Sequence, residues 1–252
     1  MGNRAFKCAS HAKGGHGEVD ISKAFAYSCN TYFINLMMTL SDKNGVDMHD
    51  EVKRGLISMA EKFSLGSATG LEAQGIDEAK GQLPDADEKM QKGDLANMAI
   101  GQGVMTATPL QAVNIASIIA SGGIKYNLNV VDAVLDPQGN VIENLKKEDE
   151  IRVIDPKTAE KIKENMKMVT EDGYTGAKAN ADALGGVAGK TGTAQTGQYK
   201  GGKEIENGWF TGFFPYENPK YAMCVFIEGT DSKSKSSSEI FGEIAKLILT
   251  DV

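Results

Sequence analysis

The sequence predicts an α/β (α+β) domain, an antiparallel sheet with helices packed on it, and three observations carry that prediction. Apolar residues in the first part recur at helical spacing, as in Val52, Leu56, Met59 and Phe63. Two helix starts, Thr108-Pro109 and Asp155-Pro156, each pair a capping side chain with proline at the first helical position. The last third changes to β-prone runs, Val187–Thr196, Gly208–Pro215 and Lys220–Gly229, followed by the amphipathic segment Glu239–Leu249. Strands joined through loops and then covered by a helix make an antiparallel sheet with a helical layer.

Taken in order, Glu18–Tyr27 places Ile21, Ala24 and Phe25 at helical spacing and runs into Ser28-Cys29-Asn30. A second helix follows through Phe33, Ile34, Leu36, Met37 and Leu40, and a third spans Asp50–Phe63. Gly66–Pro84 is rich in glycine and polar residues and reads as a long irregular connection. The helix from Thr108-Pro109 runs to Ser121 and stops at Gly122-Gly123. Asn127–Leu135 and Val141-Ile142 flank the turn Asp136–Asn140 and read as a hairpin. Asp155-Pro156 opens a helix with Ala159, Ile162, Met166 and Val169 on one side. Gly197–Asn207 reads as a polar loop between strands, and Thr230–Ser238 as a Ser/Lys loop. The chain thus divides into a mostly helical part, 1–123, a hairpin, 124–150, and a helix with a sheet and C-terminal helix, 151–252.

Bulk properties exclude several classes. Of 252 residues, 41% are hydrophobic and 24% charged, an ordinary globular balance. A net charge of −7 without a basic stripe excludes a general nucleic-acid binder. No apolar run is long enough to cross a bilayer, and the N-terminus has no signal-peptide core. Met1-Gly2 does not make a myristoylation site, because residue six is Phe6. Three cysteines are too few for a disulfide scaffold. Cys224 lies in the apolar run Tyr221–Ile227 and reads as a reduced core residue, whereas Cys8 and Cys29 are left open between a disulfide and two free thiols. The histidines are His11, His16 and His49, and no carboxylate or thiolate set accompanies them in sequence, so no metal site is expected.

Lys190-Thr191-Gly192-Thr193 invites a phosphate-loop reading that fails. That pattern needs glycine at position 184, which is Leu184, and the residues that follow are β-prone where a helix must open. On an exposed edge strand the tetrapeptide has a different logic. Lys190 supplies a fixed cation, Thr191 and Thr193 supply hydroxyl donors, and Gly192 lets another backbone approach. A peptide ending in a carboxylate would add alongside such a strand. A surface strand with a chance lysine, and Ser28 and Asn30 as simple helix caps, are the plainer readings of each motif alone.

In this order, Ser28-Cys29-Asn30 and Lys190-Thr191-Gly192-Thr193 resemble two of the three signatures of serine enzymes that act on D-alanyl peptides and β-lactams. Gly15–Asp20 leading into Ala26–Phe33, Gly75–Pro84, Ala99-Ile100-Gly101-Gln102-Gly103 with Thr108–Gln111, and Trp209–Pro215 extend the resemblance over nearly the whole chain. The family it resembles is the penicillin-binding protein transpeptidases, in particular the class B type. The resemblance implies that Ser28 relays a proton, that Asn30 bonds the substrate carbonyl, and that Lys190 supplies positive potential and supports Ser28. It further implies that Thr191, Gly192 and Thr193 hold the substrate, with the Thr193 N–H as half of an oxyanion hole. Implied partners are peptidoglycan stem peptides and β-lactam antibiotics. No cofactor is implied, and the parent protein would be membrane-anchored on the extracytoplasmic face among cell-wall synthesis proteins.

The third signature, Ser-x-x-Lys, departs from the pattern. Ser10-His11-Ala12-Lys13 and Ser232-Lys233-Ser234-Lys235 fit literally, but the first lies too close to Ser28 and the second follows the lysine strand. Both read as coincidence. The expectation is therefore a C-terminal portion of a transpeptidase domain, without the first strands and the nucleophile helix, and inactive by itself. A non-catalytic peptidoglycan- or partner-binding remnant, and a β-lactamase or β-lactam sensor of the same fold, are the alternatives.

Overall fold

The alternation of side chains along one strand sets the layers. In β8 (Lys203–Phe214), Phe210 and Phe214 point to one face and Phe213 to the other. Phe210 and Phe214 are buried with Val187, Ala181 and Phe241, while Phe213 is buried with Ala188, Ile119 and Met166. The sheet therefore has helices on both faces, where the sequence had pointed to a covering helix. The computed structural model describes residues 8, 10, 12, 14–71, 75–145, 150–230 and 235–250.

The central sheet has the order β7–β8–β9, with β7 at Ala188–Lys200 and β9 at Tyr221–Thr230, antiparallel throughout. The α7 helix (Ser237–Thr250) covers one face through Phe241 and Ala245. The other face is covered by α5 (Pro109–Ala120) and α6 (Pro156–Val169) through Ile119 and Met166. Both of these helices begin as the sequence predicts. Thr108 accepts from the Gln111 N–H while the Gln111 side chain accepts from the Thr108 N–H, and Asp155 accepts from the N–H groups of Lys157 and Thr158. On α6, Ala159, Met166 and Val169 are buried and Ile162 packs beside them.

The helical part holds α1 (Ile21–Ala26), α2 (Asn30–Ser41), α3 (His49–Lys62) and α4 (Lys92–Met98). A short hairpin, β1 (Asp42–Lys43) with β2 (Val46–Asp47), joins α2 to α3. On α3 the buried side chains are Lys53 and Ile57, and Met59, expected on the apolar face, is exposed. Lys53 is tolerated there because its ammonium donates to the Glu88 carbonyl and pairs with Asp50 at 3.3 Å. The irregular connection is fixed by one side chain of α5. The amide nitrogen of buried Gln111 lies 2.7–2.9 Å from the carbonyls of Ser64, Ser67 and Lys80, which share its two N–H groups.

Two readings need correction. Gly197–Asn207 is no polar loop: β7 and β8 continue as a ladder through it, Tyr199 opposite Glu204, and turn at Gly201-Gly202. Exposed ladders are held by backbone bonds and need no apolar alternation, so polarity misled there. The hairpin of residues 124–150 contains two ladders. β4 (Ala133–Leu135) pairs with β5 (Val141–Asn144) across the predicted turn, and β3 (Ile124–Tyr126) pairs with β6 (Glu150–Arg152). No helix among the described residues is long and apolar enough to cross a membrane.

Candidate active site

Ser28 sits where a helix normally places glycine. The α1 helix is capped by Tyr27, and Ser28 follows with φ 51°, in the left-handed region. The Ser28 N–H bonds the Phe25 carbonyl at 3.1 Å and the Cys29 N–H bonds the Ala24 carbonyl at 2.8 Å. This pair of bonds is the Schellman closure, whose left-handed position is usually glycine because a Cβ is penalised there. A serine in that position carries backbone strain. Cys29 is the N-cap of α2 and Asn30 its first residue, so the motif is the whole connection between two helices.

Lys190 arrives from the opposite end of the chain on β7, an edge strand of the central sheet. The strand's glycines are dictated by its neighbours. A Cβ on Gly189 would lie 2.5 Å from the Phe210 ring, and one on Gly192 would lie 3.1 Å from the Trp209 Cβ. A side chain at Gly192 would thus crowd the cross-strand Trp209, which would have to give by a few tenths of an ångström.

The two segments meet. Lys190 Nζ donates to Ser28 Oγ and, at 3.0 Å, to the Thr191 carbonyl. Ser28 Oγ lies 3.4 Å from Thr191 Oγ1. The Phe25 ring of α1 is 5.7 Å from Lys190 Nζ, a cation–π distance. Burial pushes the Lys190 ammonium down to about 8, because the charged form loses water in this setting. A hydroxyl touching an amine with so low a pKa is equipped for proton transfer near neutrality.

Sequence reasoning missed Thr175. Its hydroxyl donates to the Ala26 carbonyl at 3.0 Å and accepts from Thr191 Oγ1 at 2.9 Å, so it ties the end of α1 to β7. The adjoining Gly176 packs this turn against the core, where a Cβ would sit 2.8 Å from Val169 Cγ1 and 2.9 Å from Phe210 Cε2. A threonine within Gly173-Tyr174-Thr175-Gly176 was the available signal. The Tyr174 ring lies tilted against that of Tyr27, centroids 4.8 Å apart, beside the same helix end. Gln102, which in the sequence is only part of the family resemblance, reaches the Thr193 carbonyl with its amide at 3.3 Å.

Of the predicted site residues, Ser28, Lys190 and Thr191 are in direct contact, and Gly192 and Thr193 continue the same strand. Asn30 lies two residues beyond Ser28 at the start of α2, and its side chain forms no hydrogen bond among the described residues. The expectation that the histidines lack thiolate company is corrected for His16. Folding brings Cys8, His16 and Cys29 together, their donor atoms within 4.8 Å of one another. Three donors are one short of a closed tetrahedral set. Both thiols are free, with Cys8 Sγ 3.6 Å from His16 Nδ1. Cys224 is free and half-buried, and accepts from Thr211 Oγ1. His11, Lys13 and Ser232–Ser234, parts of the literal Ser-x-x-Lys copies, lie outside the described residues.

Known proteins resemble this chain over most of its length. A family model described as penicillin binding protein transpeptidase domain matches residues 1–246. The chain is 32% identical over 251 residues to the peptidoglycan D,D-transpeptidase MrdA of Haemophilus influenzae, which covers 90% of this chain and 36% of that protein. Peptidoglycan D,D-transpeptidase PbpA of Mycolicibacterium smegmatis is 30% identical over 233 residues, covering 90% of this chain and 43% of its own length. Among solved structures, penicillin binding protein 3 from Mycobacterium tuberculosis, complexed with aztreonam, superposes with a TM-score of 0.74 at 25% identity, over 92% of this chain and 51% of that one. The imipenem acyl-enzyme complex of penicillin-binding protein A from M. tuberculosis gives a TM-score of 0.67 at 25% identity, over 93% and 48% of the two chains. The chain therefore spans less than half the length of these curated relatives.

Proposed function

Because the chain belongs to the penicillin-binding protein transpeptidase domain family, we propose that it carries the Ser28–Asn30 and Lys190–Thr193 portion of a peptidoglycan D,D-transpeptidase centre. The single observation that supports this most is the Lys190–Ser28 contact, which brings the two motifs together. With its ammonium at about 8, roughly a tenth of Lys190 is neutral at pH 7, against far less than a hundredth of an unshifted lysine. Ser28 and Lys190 together can therefore take up and return a proton during acyl transfer. The protonated majority supplies positive potential for the terminal carboxylate of a D-Ala-D-Ala peptide. Thr191 and Thr193 add hydroxyls, and the edge of β7 offers main-chain groups to an extended substrate. Asn30 would bond the substrate's peptide carbonyl, and the Thr193 N–H would stabilise the developing oxyanion.

The nucleophile would come from a Ser-x-x-Lys segment, for which neither literal copy in this sequence is suitably placed. The chain by itself would accordingly bind stem peptides and β-lactams without being acylated. In the parent protein the reaction would cross-link peptidoglycan at the extracytoplasmic face of the membrane, alongside other cell-wall synthesis proteins. Two assays of the purified chain with a fluorescent penicillin test this reading. Saturable reversible binding without a covalent band on a denaturing gel is expected. A stoichiometric covalent band would overturn the predicted inactivity, and absence of any binding would overturn the assignment of the cleft.

A further inference from the structure

The outer edge of β7 is already occupied by a side chain. β7 pairs with β8 on one side only, and in an antiparallel ladder alternate residues turn both N–H and C=O away from the partner strand. The Thr191 carbonyl accepts from Lys190 Nζ at 3.0 Å, and the Thr193 carbonyl, two residues on, accepts from the Gln102 side-chain amide at 3.3 Å. These two residues therefore share the open edge, and their peptide groups are those an added strand would pair with. Gln102 reaches this edge from the turn after α4, at a sequence separation of 91.

The turn beneath Gln102 is held in place. Gly101 and Gly103 flank it with φ of 72° and 88°, values that favour glycine. The Gln102 N–H bonds the Asn97 carbonyl at 3.0 Å, and a Cβ on Gly103 would meet the Asn97 Cβ at 3.0 Å. Gln102 is half-buried and its amide has a backbone carbonyl of the candidate cleft as its partner. A carboxamide N–H on an edge carbonyl has the chemistry of a ligand's own backbone N–H in the same place.

We propose that Gln102 is a gating residue of the peptide cleft: its amide stands in for the backbone N–H of an extended peptide at the Thr193 carbonyl and must be exchanged for it when the peptide binds. The inference rests on the transpeptidase reading and deepens it. Each binding event replaces one N–H···O bond with another, so the peptide gains little from this contact while Gln102 is present. Removing the amide leaves the Thr193 carbonyl to solvent, which yields it more readily.

The test is the affinity of the whole chain for a diacetylated Lys-D-Ala-D-Ala peptide, measured calorimetrically for the wild type, Gln102→Ala and Gln102→Asn. Asn keeps the carboxamide but is one methylene too short to reach. Both variants should bind the peptide about 2–10-fold more tightly than the wild type, the equivalent of one ordinary hydrogen bond. Damage to the turn would weaken binding, so the direction separates gating from a merely structural role. Equal or weaker binding by the two variants, with wild-type binding intact, overturns the gate and leaves the transpeptidase reading standing. No binding by any of the three proteins overturns that reading and the gate with it.

Discussion

Lys190 Nζ bonds Ser28 Oγ across 162 residues of sequence, and this contact is formed by an edge strand meeting a helix end. Neither element reaches the other by chance. The α1 helix packs through Phe25 into the same core that holds α5, α6 and the Phe213 face of the sheet. Thr175 then pins the Ala26 carbonyl to Thr191. The contact is thus a consequence of how the helical part is seated on the sheet.

The strained position of Ser28 gives the first prediction. Ser28→Gly relieves the left-handed strain, whereas Ser28→Ala keeps it, and both remove the hydroxyl. Ser28→Gly should therefore be more stable than Ser28→Ala by about 1 kcal/mol in urea denaturation. Equal stability, or Ala above Gly, would contradict the helix-closure account.

Lys190 gives a pH dependence whose sign is set by its lowered pKa. Unfolding returns the amine to its ordinary value near 10.5, so between about pH 8 and 10.5 the unfolded chain binds more protons than the folded one. Stability from this group must rise with pH across that window. Its burial costs roughly 3 kcal/mol below pH 8, and the cost is relieved on deprotonation. Unfolding free energies of wild type and Lys190→Met should approach each other in the wild type's favour by that order as pH rises. Parallel curves from pH 7 to 10 would show that the ammonium is not desolvated.

Thr175 is exposed, so its two hydrogen bonds contribute little to overall stability. Thr175→Val is expected to cost less than about 1 kcal/mol on unfolding. It removes the tie between α1 and β7, however, and should weaken peptide binding about 2–10-fold, a loss similar to that of one hydrogen bond. Wild-type peptide affinity in this variant would show that the tie does not position the cleft.

Gln111 is the reverse case, buried between α5 and the irregular connection. Gln111→Leu leaves the carbonyls of Ser64, Ser67 and Lys80 without their donor and removes the acceptor of the Thr108 N–H. A loss of about 3 kcal/mol is expected, because buried groups left unpaired carry the full desolvation cost. A change below 1 kcal/mol in thermal or urea unfolding would mean that solvent takes over those carbonyls.

What could be read from sequence followed from local chemistry. The capped starts at Thr108-Pro109 and Asp155-Pro156 announced α5 and α6, and the apolar side of α6 emerged nearly as its spacing required. The α4 helix escaped notice because Lys92–Met98 is short, contains Gly93 and has too few residues to show a period. The strand pair β3 and β6 joins residues on either side of a hairpin, a pairing that no local pattern encodes. Ser28, Lys190 and their neighbours were legible because they fall in contiguous motifs. Thr175, Gln102 and the thiol–imidazole group around His16 acquire their partners only through tertiary contacts between segments that carry no shared signal.

The central claim is that the Ser28 and Lys190 segments form one binding site, and amide-resolved NMR of the whole chain titrated with diacetylated Lys-D-Ala-D-Ala tests it directly. The account predicts that the backbone signals of Ser28–Asn30 and of Lys190–Thr193 shift together along a single saturation curve. Shifts confined to one segment, or two curves with different affinities, would contradict it.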